Sequence, residues 1–212
     1  MTERDGRVWT MILRHALHTR PASVEALAGA TGFPAEDVEA ALAALHDAGA
    51  IYLRGGAVAA AYPFSLVPTP HRVIIGGITA YANCAIDALA VPPMADETAH
   101  LSSTCGHCGV PVTLIMRADR ILASQPAAPV VFYPDKDCCA AGPAVLTRCP
   151  HIQFFCHRDH AARWQHAYPE LRGTVLDLAG AAAYASRHFA EAIRAVLGEA
   201  QDSGVGRSRY AD

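Results

Sequence analysis

Two thiols and one carboxylate stand out in this chain because of what they could do together. Cys84 and Asp87 fall in the stretch Tyr81-Ala82-Asn83-Cys84-Ala85-Ile86-Asp87-Ala88-Leu89. If that stretch is an Ala-rich apolar helix, the i, i+3 spacing sets thiol and carboxylate on one face. Cys149 comes some sixty residues later, between Arg148 and Pro150, and leads into Ile152, Phe154 and Phe155. A nearby Arg favours the thiolate, the metal-binding form of cysteine. Two thiolates prefer soft ions, mercury or monovalent copper, to hard ones, and a carboxyl beside them can carry a proton. Each residue also has a plainer reading: Cys84 as a small core hydrophobe, Asp87 as a charge at a solvated helix edge, Cys149 as a turn cysteine before a buried strand. Asp87 weighs against the plain set, because a carboxylate in an apolar helix is costly to bury without a use.

The remaining thiols form two close pairs. Cys105-Gly106-His107-Cys108 has C-x-x-C spacing, and Cys138-Cys139 are adjacent. Cys105, Cys108, Cys138 and Cys139 together would suit a structural zinc, although adjacent cysteines are awkward co-ligands. A redox C-x-x-C and unligated or mercury-scavenging thiols are the other readings. Cys156 and His157 receive no role. The histidines at 151, 157 and 160 show no clean ligand pattern, and His107, between two thiols, is the exception to watch.

Three helices and a hairpin precede this chemistry. Val8, Trp9, Ile12, Leu13, Ala16 and Leu17 recur at helical spacing up to Pro21; Ser23 caps a short helix closed by Gly32; Pro34 opens a third that Gly49 ends. Ile51 to Val58 reads as a hairpin turning at Gly55-Gly56. The pattern is winged-helix-like over residues 1–62. Its third helix carries Glu36, Asp37, Glu39 and Asp47 and no Lys or Arg, so phosphates would repel it and a packing role is expected rather than DNA reading. Residues 63–71 hold three prolines and read as a linker. Beyond it, a strand at 72–75, the Cys84 helix running to Val91, strands near 99–102, 110–116, 129–133 and 152–155, and helical spacing at 161–166 and 180–197 lack regular βαβ alternation. The fold class expected over 72–200 is therefore α+β, with a polar, disordered tail at 201–212.

The composition bounds the rest. The chain has 212 residues, 52% of them hydrophobic, and a net charge of -3, which gives no attraction to nucleic acid or anionic lipid. No run approaches the roughly twenty apolar residues of a membrane span. Seven cysteines, an odd number in a chain able to bury a core, fit a reduced, cytoplasmic setting better than a disulfide scaffold.

Taken together, Tyr-Ala-x-Cys-Ala-Ile-Asp-Ala-Leu, the strand ending Ser-Ser-x-Cys before Gly-x-Pro-Val, and Cys-Pro-His-x-x-Phe-Phe followed by Trp164 resemble the organomercurial lyase (alkylmercury lyase) family from about His71 to Leu197. The resemblance implies a winged-helix-like N-terminal domain, an organomercurial substrate, and cleavage of its carbon–mercury bond by Cys84, Asp87 and Cys149. Cys84 and Cys149 would then hold the Hg(II) product. It implies no external cofactor, and small thiols or a mercuric reductase to take the ion away. The residue at Cys105 is a structural position by the same resemblance, and the second thiol at Cys108 departs from the family pattern. A thiol-rich metal-binding or metal-sensing protein is the competing class, and a different thiol reaction on the same fold is a third.

Overall fold

The computed structural model describes residues 1–95 and 97–202. The chain opens with three helices, α1 (Glu3–Leu17), α2 (Val24–Thr31) and α3 (Ala35–Asp47), whose ends follow local chemistry. Thr2 caps α1, accepting the Asp5 N–H while the Asp5 carboxylate accepts the Thr2 N–H in return. Ser23 Oγ accepts the Ala26 N–H at the start of α2, and Gly32 closes it in the left-handed conformation. The buried stripe Val8, Ile12, Leu13, Leu27, Val38 and Leu45 welds the three together.

The chain then enters two antiparallel sheets. Strands β1 (Ile51–Arg54), β2 (Ala57–Ala61), β3 (Phe64–Ser65), β4 (Arg72–Ile75) and β5 (Ile78–Ala82) lead to helix α4 (Ala85–Ala90). After it come β6 (Thr98–Thr104), β7 (Pro111–Arg117), β8 (Arg120–Gln125), β9 (Val130–Pro134), α5 (Ala144–Thr147), β10 (Gln153–Phe155), α6 (Arg158–Ala167), β11 (Gly173–Asp177), α7 (Leu178–His188) and α8 (Ala190–Asp202). The larger sheet has the order β1-β2-β3-β5-β4-β6-β7-β8 and the smaller β10-β9-β11. This is an α+β architecture. No helix among the described residues is long and apolar enough to cross a membrane.

Three expectations are corrected. The proline-rich segment 63–71 is not only a linker: Phe64 and Ser65 form β3, pairing with β2 on one side and β5 on the other. A two-residue strand can sit centrally because the prolines flank it and leave its N–H groups free to pair. The stretch from Tyr81 to Leu89 is not one helix, since Tyr81 and Ala82 belong to β5, which turns back on β4 through Gly76 and Gly77, both at positive φ. Helix begins only after Cys84, whose backbone is extended. The helical run of 180–197 is two helices, parted at Phe189. The expected disordered tail lies outside the described residues from 203 onward, and α8 continues through Asp202.

Helix α4 is six residues long, too short to persist alone, so packing must hold it. All six residues are buried, and the small side chains Ala85 and Ala88 fit it against α7, where Ala181, Ala182 and Ala185 are buried in turn. Alanine on both sides lets the helices approach closely.

Candidate active site

Cys84 stands at the N-cap of α4, where its sulfur accepts the Asp87 backbone N–H at 3.4 Å. The neighbour relation expected from helix periodicity is therefore made by capping, with Asp87 as the third helical residue. Cys149 opens a single 3₁₀ turn, Cys149–His151, with Pro150 at a position where its missing N–H is no loss. One hydrogen bond joins the two segments: the Ala85 N–H donates to the Ile152 carbonyl at 3.1 Å. It fixes the residue after Cys84 against the turn that carries Cys149.

The result is a tight triad. The Cys84 sulfur, the Cys149 sulfur and an Asp87 carboxylate oxygen all lie within 4.8 Å of one another, and all three residues are buried. The Cys149 thiol points at Asp87 Oδ2, 4.0 Å away. Burial raises the Asp87 carboxyl to about 7, against hydrogen bonds from Asn83 and Cys84 that favour its charged form. Burial also pushes the Cys84 thiol well up, and its hydrogen bond with Cys149 adds to the effect. The triad thus sits where protons are held near neutrality and charge is costly.

A cavity of about 300 Å³ opens onto all three groups. Its walls come from both halves of the chain: Trp9 of α1, Tyr62, Ile86, Tyr133 and Phe189 supply apolar surface, and Arg148 and Glu191 supply charge. The Arg148 guanidinium lies over the Tyr133 ring at 4.4 Å and donates to the Pro134 carbonyl at 3.0 Å. Tyr62 accepts the Val145 N–H at 2.8 Å and is held protonated, its hydroxyl pushed up by burial. A larger cleft of about 640 Å³ lies between the α1–α2 connection and the β1–β2 hairpin. It is lined by no thiol, histidine or aspartate, so the smaller cavity is where chemistry converges.

Residues 64–190 match the family model described as alkylmercury lyase. The chain is 33% identical to the alkylmercury lyase of Staphylococcus epidermidis over 71% of this chain and 67% of the relative. It is 31% identical to that of Streptomyces lividans over 82% of this chain and 78% of the relative. The chain belongs to the alkylmercury lyase family. As an alkylmercury lyase it is an enzyme. Its fold is shared with a solved structure, the mercury-bound form of MerB2, at a TM-score of 0.77 and 20% identity over 91% of this chain and 93% of that one.

Within this alkylmercury lyase chain the other thiols fall into two places. Cys105 and Cys108 lie beside Cys156 and His160. Cys138 and Cys139 do not join them, which corrects the four-cysteine set expected from spacing. They sit on a 3₁₀ turn after β9, where the Cys138 thiol donates to the carbonyls of Asp135 and Arg172, and the Cys139 thiol to that of Asp135. The physical reason is the antiparallel pairing of β10 with β9: Phe155, next to Cys156, pairs with Val130 at the start of β9, whereas Cys138 and Cys139 follow the opposite end of that strand. Sequence reasoning gave Cys156 and His160 no part. Their signal was a C-x-x-x-H spacing across the junction of β10 and α6.

Proposed function

We propose that the enzyme cleaves carbon–mercury bonds of organomercurials by protonolysis, with Cys84 and Cys149 as mercury-binding thiolates and Asp87 as the proton carrier. The observation that carries this reading is the buried triad, two sulfurs and a carboxylate within 4.8 Å on the wall of one cavity.

One cysteine sulfur displaces the thiol on the incoming R–Hg–SR′, and R′SH leaves with that cysteine's proton. Asp87 takes the proton of the second thiol, whose sulfur then binds mercury. Two thiolates make the mercury electron-rich and weaken its bond to carbon, and the Asp87 carboxylic acid delivers its proton to the carbon. The products are R–H and Hg(II) bound by two sulfurs, with Asp87 ionised again. A carboxyl near 7 suits both directions of transfer. The apolar walls exclude water that would compete for mercury and proton.

No external cofactor enters this scheme. Release of Hg(II) needs a competing ligand, so small thiols or a mercuric reductase are the partners, and the reducing cytoplasm is the setting that keeps the two thiols available. The three N-terminal helices and the β1–β2 hairpin are winged-helix-like in outline, and we assign them the cavity wall rather than a duplex. Trp9 lines the cavity, and Arg4 of α1 is engaged by Asp37 of α3 at 3.2 Å. The buried carboxyl is what favours an enzyme over a thiol-rich metal store or sensor, since storage has no use for a proton carrier.

The test is to incubate the protein with an alkyl or aryl mercurial and excess thiol and to measure the hydrocarbon in the headspace. Mercurial binding without hydrocarbon release would overturn the reading.

A further inference from the structure

Cys105, Cys108, Cys156 and His160 converge outside the lining of the mercury cavity, and nothing in the proposed lyase chemistry uses them. Cys105 follows β6, and its loop turns through Gly109 at positive φ so that the Gly109 N–H reaches back to the Cys105 carbonyl at 2.9 Å. Cys156 follows β10, and His160 lies in the first turn of α6. The Gly106 N–H donates to the Phe154 carbonyl at 2.9 Å, stitching the loop to β10. A Cβ at Gly106 would displace the end of the Gln153 side chain and press on the Phe155 ring at 3.2 Å, so glycine eases the close approach of loop and strand.

We propose that these four side chains form a structural zinc site of the Cys₃His type. A tetrahedral zinc with Zn–S near 2.3 Å and Zn–N near 2.0–2.1 Å has ligand-to-ligand edges of roughly 3.8 Å between sulfurs and roughly 3.6 Å between sulfur and nitrogen. The Cys108 and Cys156 sulfurs are 3.8 Å apart, and the Cys105 sulfur is 3.6 Å from His160 Nδ1. The Cys156 sulfur to His160 Nδ1 edge is 3.0 Å, shortened by the hydrogen bond made across it. All four ligand atoms lie within 4.8 Å of one another. The donor set is three soft sulfurs and one imidazole, which selects zinc over calcium or magnesium. All four positions are filled by protein, the mark of a structural rather than a catalytic zinc. The ligands come in two local pairs, C-x-x-C and C-x-x-x-H, from two separate hairpin and helix junctions. The ion therefore cross-links the β6–β7 loop to the β10–α6 corner. β10 starts two residues after the turn that carries Cys149, so the cross-link also steadies one wall of the triad.

The backbone supports the same end. The backbone N–H groups of Cys108, Cys156 and His107 turn onto the Cys105 sulfur. Amides turned onto a sulfur stabilise the thiolate that zinc requires.

The full-length protein, purified reduced and reconstituted with zinc, should hold about one zinc per chain after gel filtration. Cobalt(II) in its place should give the thiolate charge-transfer and intense d–d bands of tetrahedral sulfur ligation. Cys138→Ser/Cys139→Ser should keep the metal; Cys108→Ser/Cys156→Ser should lose most of it and melt near the temperature of the chelated wild type. If that double variant fails to fold, the wild-type cobalt spectrum still decides, together with protection of three thiols from a thiol reagent until chelator is added. A reconstituted wild type without zinc and without cobalt thiolate bands would overturn the proposal. So would zinc that follows the Cys138–Cys139 pair or the Cys84–Cys149 pair, or a Cys108–Cys156 disulfide that leaves a metal-free protein after reduction.

Discussion

Cys84 caps the helix on which Asp87 is the third residue, so one backbone N–H, that of Asp87, is held by the sulfur while the Asp87 carboxyl faces the second sulfur on Cys149. The capping sulfur and the carboxyl thereby share one turn of chain, and the second sulfur reaches them from 62 residues beyond Asp87.

Asp87→Asn should separate capture from turnover. The amide keeps the shape of the carboxyl but carries no transferable proton, so the variant should still capture an aryl mercurial through the first cysteine sulfur by thiol exchange. Hydrocarbon release should fall by about a hundred- to ten-thousand-fold, the usual contribution of a general acid. Gas chromatography after single-turnover mixing, beside a mercury-binding assay, reads both.

Cys84→Ser tests the chemistry without the usual cost of a core change. Serine is a favoured N-cap and its hydroxyl can take over the Asp87 N–H, so the melting temperature should stay close to that of the wild type. Activity and bidentate mercury retention should both be lost. Cys149→Ser lacks that compensation, and its loss of activity should come with a small loss of stability.

The pH dependence of stability follows from the raised Asp87 carboxyl. Between its ordinary value of 3.8 and its folded value of about 7, the folded chain holds a proton that the unfolded chain has lost. Stability attributable to this group is therefore present at low pH and lost as pH rises through that window, by about 1.4 kcal/mol per pH unit, then level above it. Asp87→Asn should accordingly be more stable than the wild type at pH 8, with the gap closing toward pH 4. Urea titrations at several pH values check this.

His71 acts with the opposite sign. Its ring is buried, bonded to Ser103 Oγ at 2.9 Å, and burial holds its pKa at about 4, below the ordinary 6.5. The unfolded state binds the proton first as pH falls from 6.5 to 4, so acid destabilises the chain across that window. His71→Gln, which keeps a hydrogen-bonding group without the titration, should flatten that limb in the same urea series.

The two ends of the chemistry were not equally legible. Cys84, Asp87 and Cys149 were visible because a carboxylate in an apolar stretch has few bland uses, and the structure brings their side chains together. The helix boundary was not visible: Ala82 and Asn83 suit strand or helix, and pairing of β5 with β4 and β3 decided the matter. Tertiary pairing likewise promoted Phe64 and Ser65 from linker to strand. Sequence assigns Cys156 and His160 no role because Cys105 and Cys108 lie some fifty residues away, and nothing local says that β6 and β10 end side by side.

The short strand β3 has a consequence for how the chain can come apart. Phe64 is fully buried and the pair Phe64–Ser65 bridges the β1–β2 hairpin to β5, so one continuous ladder runs from the N-terminal helices to the strand that ends two residues before Cys84. Such a ladder leaves no seam at which the first sixty residues could melt or be cut away by themselves. A chain lacking α1 to α3 would keep every residue of the triad and lose Trp9 from the cavity wall, leaving the thiols open to water and β2 stripped of the helices that cover it.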